Sequence, residues 1–358
     1  MSVHTIIPPL LLRQLMQHPD VDVRDAAFTT WLHTATLRGQ RSVLARTFAP
    51  QPEGAETHRA VYDAAHLFTS SGRIARDEGQ APVTDVAVNE VYDALGVASD
   101  CFAQVFGLMS LDGQGMRLEG VVHYGDRFNN AFWNGSRLVF GDGDGRLFTH
   151  FTRAVDVVGH ELAHGVVEFT TGLHYHGESG ALNESVADVF GSLVKQYAQR
   201  QSTTDADWLI GDTILGPAIR GVALRSLKAP GTAFEGDRQP AHMRDFVHMP
   251  DTEFDDNGGV HLNSGIPNHA FYLAATAVGG FSWEHLGPVW YDALRLIRAS
   301  STIRAFATAT VRAAGERYGV GSVVQLAVIA AWEAVGVHPE LPRPRRTPTH
   351  VVPVAARA

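Results

Sequence analysis

The spacing of apolar residues changes character along the chain. Near the N-terminus Leu11, Leu12, Leu15 and Met16 recur at helical spacing, and a second helix is expected over Val23 to Leu37. From Ala49 to His58 the periodicity gives way to a mixed polar stretch with proline and glycine, the composition of an exposed connector. Val86 to Phe106 again reads as helix. Three short runs then predict strands, Gly120 to Tyr124, Asn130 to Trp133 and Arg137 to Phe140, because each is rich in β-branched or aromatic residues and bounded by turn formers. The GDGDG run from Gly141 to Gly145 is expected to be a β-turn, since it lacks both the phosphate-loop lysine and the twelve-residue calcium-loop pattern. From Glu178 to Gly336 helices dominate, including Trp290 to Ala299, Ile303 to Tyr318 and Val323 to Val335. The tail from Pro339 to Ala358 has no apolar period and is expected to fray. No internal repeat is visible. The expected class is α+β, a small helical module followed by a β-rich lobe and a helical lobe.

Composition narrows the function classes. At 358 residues, 45% of them hydrophobic and 19% charged, the chain can bury two cores and lacks the signature of disorder. Its net charge of -9 comes from 38 acidic and 29 basic residues without a long like-charge run, so no phosphate-tracking face is expected and nucleic acid is not an expected partner. No apolar stretch approaches membrane-spanning length, so no membrane association is expected either. The first residues show a short apolar run broken by Pro8 and Pro9, without preceding basic residues or a small-residue cleavage site. No secretory signal is read there, which leaves a cytoplasmic location or a non-classical export route. A single cysteine, Cys101, rules out an internal disulfide and fits a buried core thiol.

The segment with chemistry begins at Asp156 and contains His160, Glu161 and His164 among Val157, Val158, Leu162 and Val166. On a helix the two histidines, four residues apart, stack on one face and aim two imidazole nitrogens at one point, as a zinc ion requires. In a chain of this length an HExxH motif arises by chance roughly once in twenty, so it needs a second signal. That signal is Glu184 and Asp188, again four apart, in an apolar helical segment with Leu182, Val186, Val189 and Phe190. Glu184 can complete a two-histidine, one-carboxylate site with the fourth position open. Asp188 can accept from the outward nitrogen of His160 and fix its tautomer. Glu161, between the histidines, faces the open position as a general base.

These motifs together resemble the thermolysin-like zinc metallopeptidases from about Ala60 to Val337, and the short N-terminal segment with Pro8, Pro9 and following leucines is most similar to the protealysin-like branch. The HELAH and GALNESVAD segments match the ligand set of thermolysin itself. The resemblance implies a two-lobe fold with the zinc site in the cleft, His160, His164 and Glu184 as ligands to one catalytic zinc, and Glu161 as base. It further implies that Asn130 and Ala131, in the NAFWNG run, hold the substrate backbone as an edge strand. The DNGGVHLNSG run implies His261 as an oxyanion donor oriented by Asp256, with Tyr175 as a second donor. Arg225 is implied to bind a substrate carbonyl, and Phe148, Phe151, Val157 and Leu224 to wall an apolar pocket, giving cleavage before bulky hydrophobic residues. The activity implied is that of a neutral metalloendopeptidase acting on peptide or protein substrates, in a family whose members are mostly secreted; a monomer is expected only by default.

One position departs from the pattern. Where secreted members carry a calcium-binding glutamate, eleven residues after the third ligand, this chain has Lys195. An ammonium there, near Asp156, would take the place of Ca2+ electrostatically, while Asp205 and Asp207 keep a weaker calcium site open. The implied division is an inhibitory propeptide over residues 1–50, cut between about Arg41 and Glu56, an N-terminal catalytic lobe over 51–175, a helical lobe over 176–338 and a flexible tail over 339–358. Residues 1–50 are too few to be independently stable and so should lean on the enzyme as a zymogen segment. Two other readings stand beside this one. A non-catalytic zinc protein would need a closed fourth position and no Glu161, Tyr175 and His261. An aminopeptidase on a related scaffold would require a free substrate N-terminus.

Overall fold

A computed structural model of the chain describes residues 4–44 and 58–341. The expected connector, the expected cleavage region beyond residue 44 and most of the expected tail lie outside the described residues. The N-terminal segment contributes strand β1 (His4–Thr5) and helices α1 (Pro9–Leu15) and α2 (Val21–Leu44). There follow β2 (Arg59–Asp63), β3 (Arg73–Asp77), α3 (Val86–Phe106), β4 (Leu118–Val122), β5 (Ala131–Trp133) and β6 (Leu138–Phe140). The helix with the HExxH motif is α4 (Val155–Thr170) and its partner is α5 (Gly177–Gln199). A two-stranded ladder, β7 (Leu209–Ile210) with β8 (Arg225–Ser226), precedes α6 (Asp256–Asn263), α7 (Gly265–Val278), α8 (Ser282–Leu294), α9 (Ile303–Tyr318) and α10 (Val323–Ala334).

The helix limits have local causes. Asp85 caps α3 by accepting from the amides of Ala87 and Val88, and Gly107 ends it in the left-handed region at φ 68°. Thr302 and Ser322 cap α9 and α10 in the same way. The sequence reading places α3, α9 and α10 within a residue, but starts α8 too late, at Trp290 where the helix runs Ser282–Leu294, because Pro288 inside it reads as a helix break. It also passes over β2 and β3, whose arginines and aspartates hide any simple alternation.

The main sheet has the order β1-β5-β6-β4-β2-β3. Strands β2, β4 and β6 are mutually parallel, whereas β3, β5 and β1 run antiparallel to their neighbours. Strand β1 therefore covers the outer edge of β5, where unpaired amides and carbonyls would otherwise face solvent.

Helices α4 and α5 pack in close contact because glycine removes the obstacle. A β-carbon on Gly191 would lie 2.5 Å from the Asp156 carbonyl oxygen, so only glycine lets α5 approach near enough to bring Glu184 beside the two histidines. Both helices are buried along most of their length. Cys101 is buried in α3, and burial pushes its thiol up to about 12.

Candidate active site

Helix α4 places His160 and His164 one turn apart, and their Nε2 atoms approach to 3.1 Å. Each outer nitrogen faces a side-chain oxygen. His160 Nδ1 lies 2.9 Å from Asp188 Oδ1, and His164 Nδ1 lies 2.9 Å from Asn183 Oδ1. Protons on the Nδ1 atoms would leave two bare Nε2 lone pairs facing each other across 3.1 Å. Neutral imidazoles do not choose that arrangement unless a cation lies between them. Glu184 points its carboxylate at the same place, Oε2 at 3.6 Å from His160 Nε2 and Oε1 at 3.7 Å from His164 Nε2. Its Oε2 is buried without a hydrogen-bond partner. Ligand atoms about 2.0–2.2 Å from a tetrahedral zinc would be separated by roughly 3.3–3.6 Å, so the three residues fit that ion.

Around this centre the carboxylates differ in state. Burial first, and the charge of Glu184 second, raise the Glu161 carboxyl well above its ordinary value. Burial works in the same direction on Asp188, but Arg225 and His160 overcome it and hold Asp188 well below the carboxylate range. Arg225 grips Asp188 through Nε at 2.8 Å and Nη2 at 2.8 Å, and Asn268 Nδ2 donates to the same carboxylate at 2.9 Å. Asp188 therefore ties a histidine of α4 to strand β8.

On the opposite wall, α6 begins with Asn257, Gly258 and Gly259 in left-handed conformations before it becomes helical. Only this glycine-rich entry turns His261 back toward Glu184, where its Nε2 lies 3.4 Å from Oε2. Asp256 Oδ1 holds the other ring nitrogen at 2.5 Å, while its Oδ2 accepts from the His261 amide at 2.9 Å. Burial disfavours the imidazolium, yet Asp256 and Glu184 raise the ring above its ordinary value. Tyr175 donates its hydroxyl to Glu184 Oε1 and lies 3.4 Å from His261 Nε2.

The N-terminal segment occupies this cleft. His261 Nε2 lies 3.0 Å from the Thr5 carbonyl, and Arg225 Nη1 donates to the Ile6 carbonyl at 3.0 Å. Ile6 donates its amide to the Ala131 carbonyl at 3.2 Å, and Ile7 donates to Asn130 Oδ1 at 3.1 Å. His4 stacks on Tyr175 with ring centroids 4.2 Å apart. Phe148, Phe151, Val157 and Leu224 are buried in the apolar cluster that also contains Ile6 and Ile7.

Residues 45–168 match the family described as thermolysin metallopeptidase, catalytic domain, and residues 171–337 match the thermolysin metallopeptidase alpha-helical domain. The chain belongs to the thermolysin family of metallopeptidases. An extracellular metalloprotease of Pectobacterium carotovorum subsp. carotovorum is 44% identical over 342 residues, covering 93% of this chain and 96% of that protein. Protease PrtS of a Photorhabdus species is 40% identical over 344 residues, covering 93% and 91%. The solved precursor of protealysin from Serratia proteamaculans superposes with a TM-score of 0.83 at 47% identity, over 93% of this chain and 99% of that one.

Within this thermolysin-family chain every residue named from the motifs lies at the cleft or in the core beside it, apart from Lys195 and Asp156, which form a separate cluster. There the expected contact is wider than the sequence suggests. Lys195 Nζ lies 3.9 Å from Asp156 but 2.7 Å from Asp207 and 2.8 Å from Asp212. Burial lowers the ammonium's affinity for its proton, and the three carboxylates more than restore it. Asp207 accepts from Lys195 at 2.7 Å and Asp205 from Ser202 at 2.6 Å. The GDGDG run is also more than a turn, since Asp144 caps the amides of Arg146 and Leu147 while Asp142 faces a group of histidines. Sequence reasoning missed Asn183, Asn268 and Asp212. Asn183 adjoins Glu184 in the quoted motif, but nothing in the sequence marks the other two.

Proposed function

We propose that the chain is a zymogen of a zinc endopeptidase that cleaves before bulky hydrophobic residues, with residues 1–50 as propeptide, 51–175 and 176–338 as the two catalytic lobes, and 339–358 as a tail. The observation that carries this reading is the path of the N-terminal strand. It lies antiparallel on β5, with consecutive carbonyls at His261 and Arg225 and consecutive amides at Ala131 and Asn130. A peptide substrate bound in this register would place its reacting carbonyl where that of Thr5 lies and its next side chain where that of Ile6 lies. Ile6 is fully buried among apolar residues, which supports a large hydrophobic residue after the scissile bond.

His160, His164 and Glu184 hold the zinc ion in this reading, and the ion when bound would polarise the carbonyl and acidify a water molecule. Glu161, beside these ligands, would act in its ionised form as the base that takes a proton from the attacking water and hands it to the leaving amine nitrogen. His261 must carry protons on both ring nitrogens to satisfy Asp256 and a carbonyl oxygen at once, so it donates Nε2–H to the developing oxyanion. Tyr175 adds its hydroxyl. Arg225 fixes the next carbonyl, and Asn130 and Ala131 hold the backbone. Lys195, paired with Asp207, Asp212 and Asp156, takes over the charge balance that calcium provides elsewhere in the family.

Hydrolysis of a blocked peptide with leucine after the scissile bond tests the whole reading. The chain freed of residues 1–50 should cleave it, and both chelation and Glu161→Gln should abolish cleavage, the variant while keeping its zinc. A zinc-loaded, segment-free protein that leaves the peptide intact would sink the proposal.

A further inference from the structure

The three parallel strands of the sheet end side by side, and each delivers a metal-binding side chain just past its carboxyl end. His66 follows β2, His123 follows β4 and Asp142 follows β6. The ends are already tied together, the His66 amide donating to the His123 carbonyl at 2.9 Å and the Tyr124 amide to the Phe140 carbonyl at 3.1 Å. Ligand sites in sheets with parallel strands collect at such ends. We propose that His66, His123 and Asp142 form a second metal site for a divalent ion of the zinc type, with His150 as a further donor.

The geometry supports this on three counts. First, His123 Nδ1 lies 2.9 Å and His66 Nδ1 3.4 Å from the same oxygen, Asp142 Oδ2, separations close to the roughly 3.3 Å between ligands of a tetrahedral zinc. Second, the His123 ring is oriented from behind. Its Nε2 lies 2.8 Å from Asp85 Oδ2, while the other Asp85 oxygen caps α3, so a fixed carboxylate holds the ring with Nδ1 facing inward, as outer carboxylates do for metal-bound histidines. Third, His150 Nδ1 approaches Asp142 Oδ1 to 3.7 Å, so three imidazoles converge on one carboxylate. An ion pair between His123 and its two aspartates would use only one of them. Two imidazoles and a carboxylate select zinc, nickel or copper over magnesium or calcium. His66 is 59% exposed, which leaves the site open to solvent.

The site shares no residue with the cleft, so its test is independent of the peptidase. The full chain, with its catalytic site loaded, would be dialysed against zinc and its metal content measured together with its thermal unfolding. Wild type should bind two equivalents and gain several degrees in Tm on the second. His66→Gln, a change at an exposed position, should weaken the second equivalent at least tenfold and remove the Tm gain, with the first equivalent, and peptide hydrolysis after removal of residues 1–50, unchanged. His150→Gln should weaken it by less. A wild type that saturates at one equivalent, or a second equivalent that persists in His66→Gln, would overturn the proposal.

Discussion

Asp188 carries more than its share of the site. It accepts from Arg225 and Asn268 and faces His160 Nδ1, so one buried carboxylate orients both the His160 ring and the guanidinium that meets the Ile6 carbonyl. Asp188→Asn keeps the shape and removes the charge. Zinc affinity, measured by competition with a chelator, should fall about ten- to a hundredfold, as for other carboxylates behind metal-bound histidines. His261→Ala differs: zinc affinity should hold while kcat falls about a hundredfold or more, the loss typical of an oxyanion donor. Lys195 makes a third case. Its removal as Lys195→Ala leaves Asp156 fully buried without a cation, and denaturant titration should show a loss of about 3 kcal/mol. Added calcium should leave the wild-type midpoint unchanged. A wild type stabilised strongly by calcium would show that the ammonium does not replace the ion.

At the scale of elements, the helices of the site were legible because periodicity and chemistry coincide there. The apolar spacing around His160 and Glu184 defines α4 and α5, and the histidines then have only one face to share. What escaped reading depends on long-range contact. Strands β2 and β3 carry Arg59, Arg73 and Arg76, which look exposed, yet Arg59 bonds Glu78 through Nε at 2.8 Å and lies with Arg76 over the Tyr92 ring of α3. The same limit hid the convergence of His66, His123 and Asp142, which lie far apart until β2, β4 and β6 align. The Arg59 pair has a testable pH signature. Hydrogen bonding to Arg59 first, against an opposing burial effect, holds the Glu78 carboxyl well below its ordinary 4.5. A depressed carboxylate contributes stability above its unfolded pKa and loses it as pH falls toward the folded one. Wild type should therefore lose stability more steeply than Glu78→Gln below about pH 4.5, while being more stable than the variant by about 1 kcal/mol near neutrality. Parallel acid limbs in thermal unfolding would count against this account.

Across the whole molecule the N-terminal segment is held by both halves. Strand β1 extends the sheet, Arg146 of the GDGDG loop pairs with Asp20 and Asp22, and α1 reaches the helical side through Arg13 to the Phe254 carbonyl and Gln14 to the Glu235 carbonyl, each at 3.0 Å. Ile6, Ile7, Leu11, Leu12 and Leu15 are buried against the rest of the chain. Each such side chain gains about 1.5–3 kcal/mol on burial, and as part of the same chain the segment meets the cleft at an effective concentration of about millimolar. A peptide substrate of ordinary affinity competes poorly with that. Ile6→Asp would put a charge into the apolar pocket while leaving the catalytic groups untouched. Initial rates on a blocked peptide, taken with intact precursor before any cleavage of the chain, should rise at least tenfold over wild type. A synthetic peptide of residues 4–44 added to the segment-free enzyme should inhibit it competitively, and the same peptide with Ile6→Asp should do so far more weakly. If the variant precursor stays as inactive as wild type while the free peptide still inhibits, the block resides in the helices of the segment and not in the strand that pairs with β5.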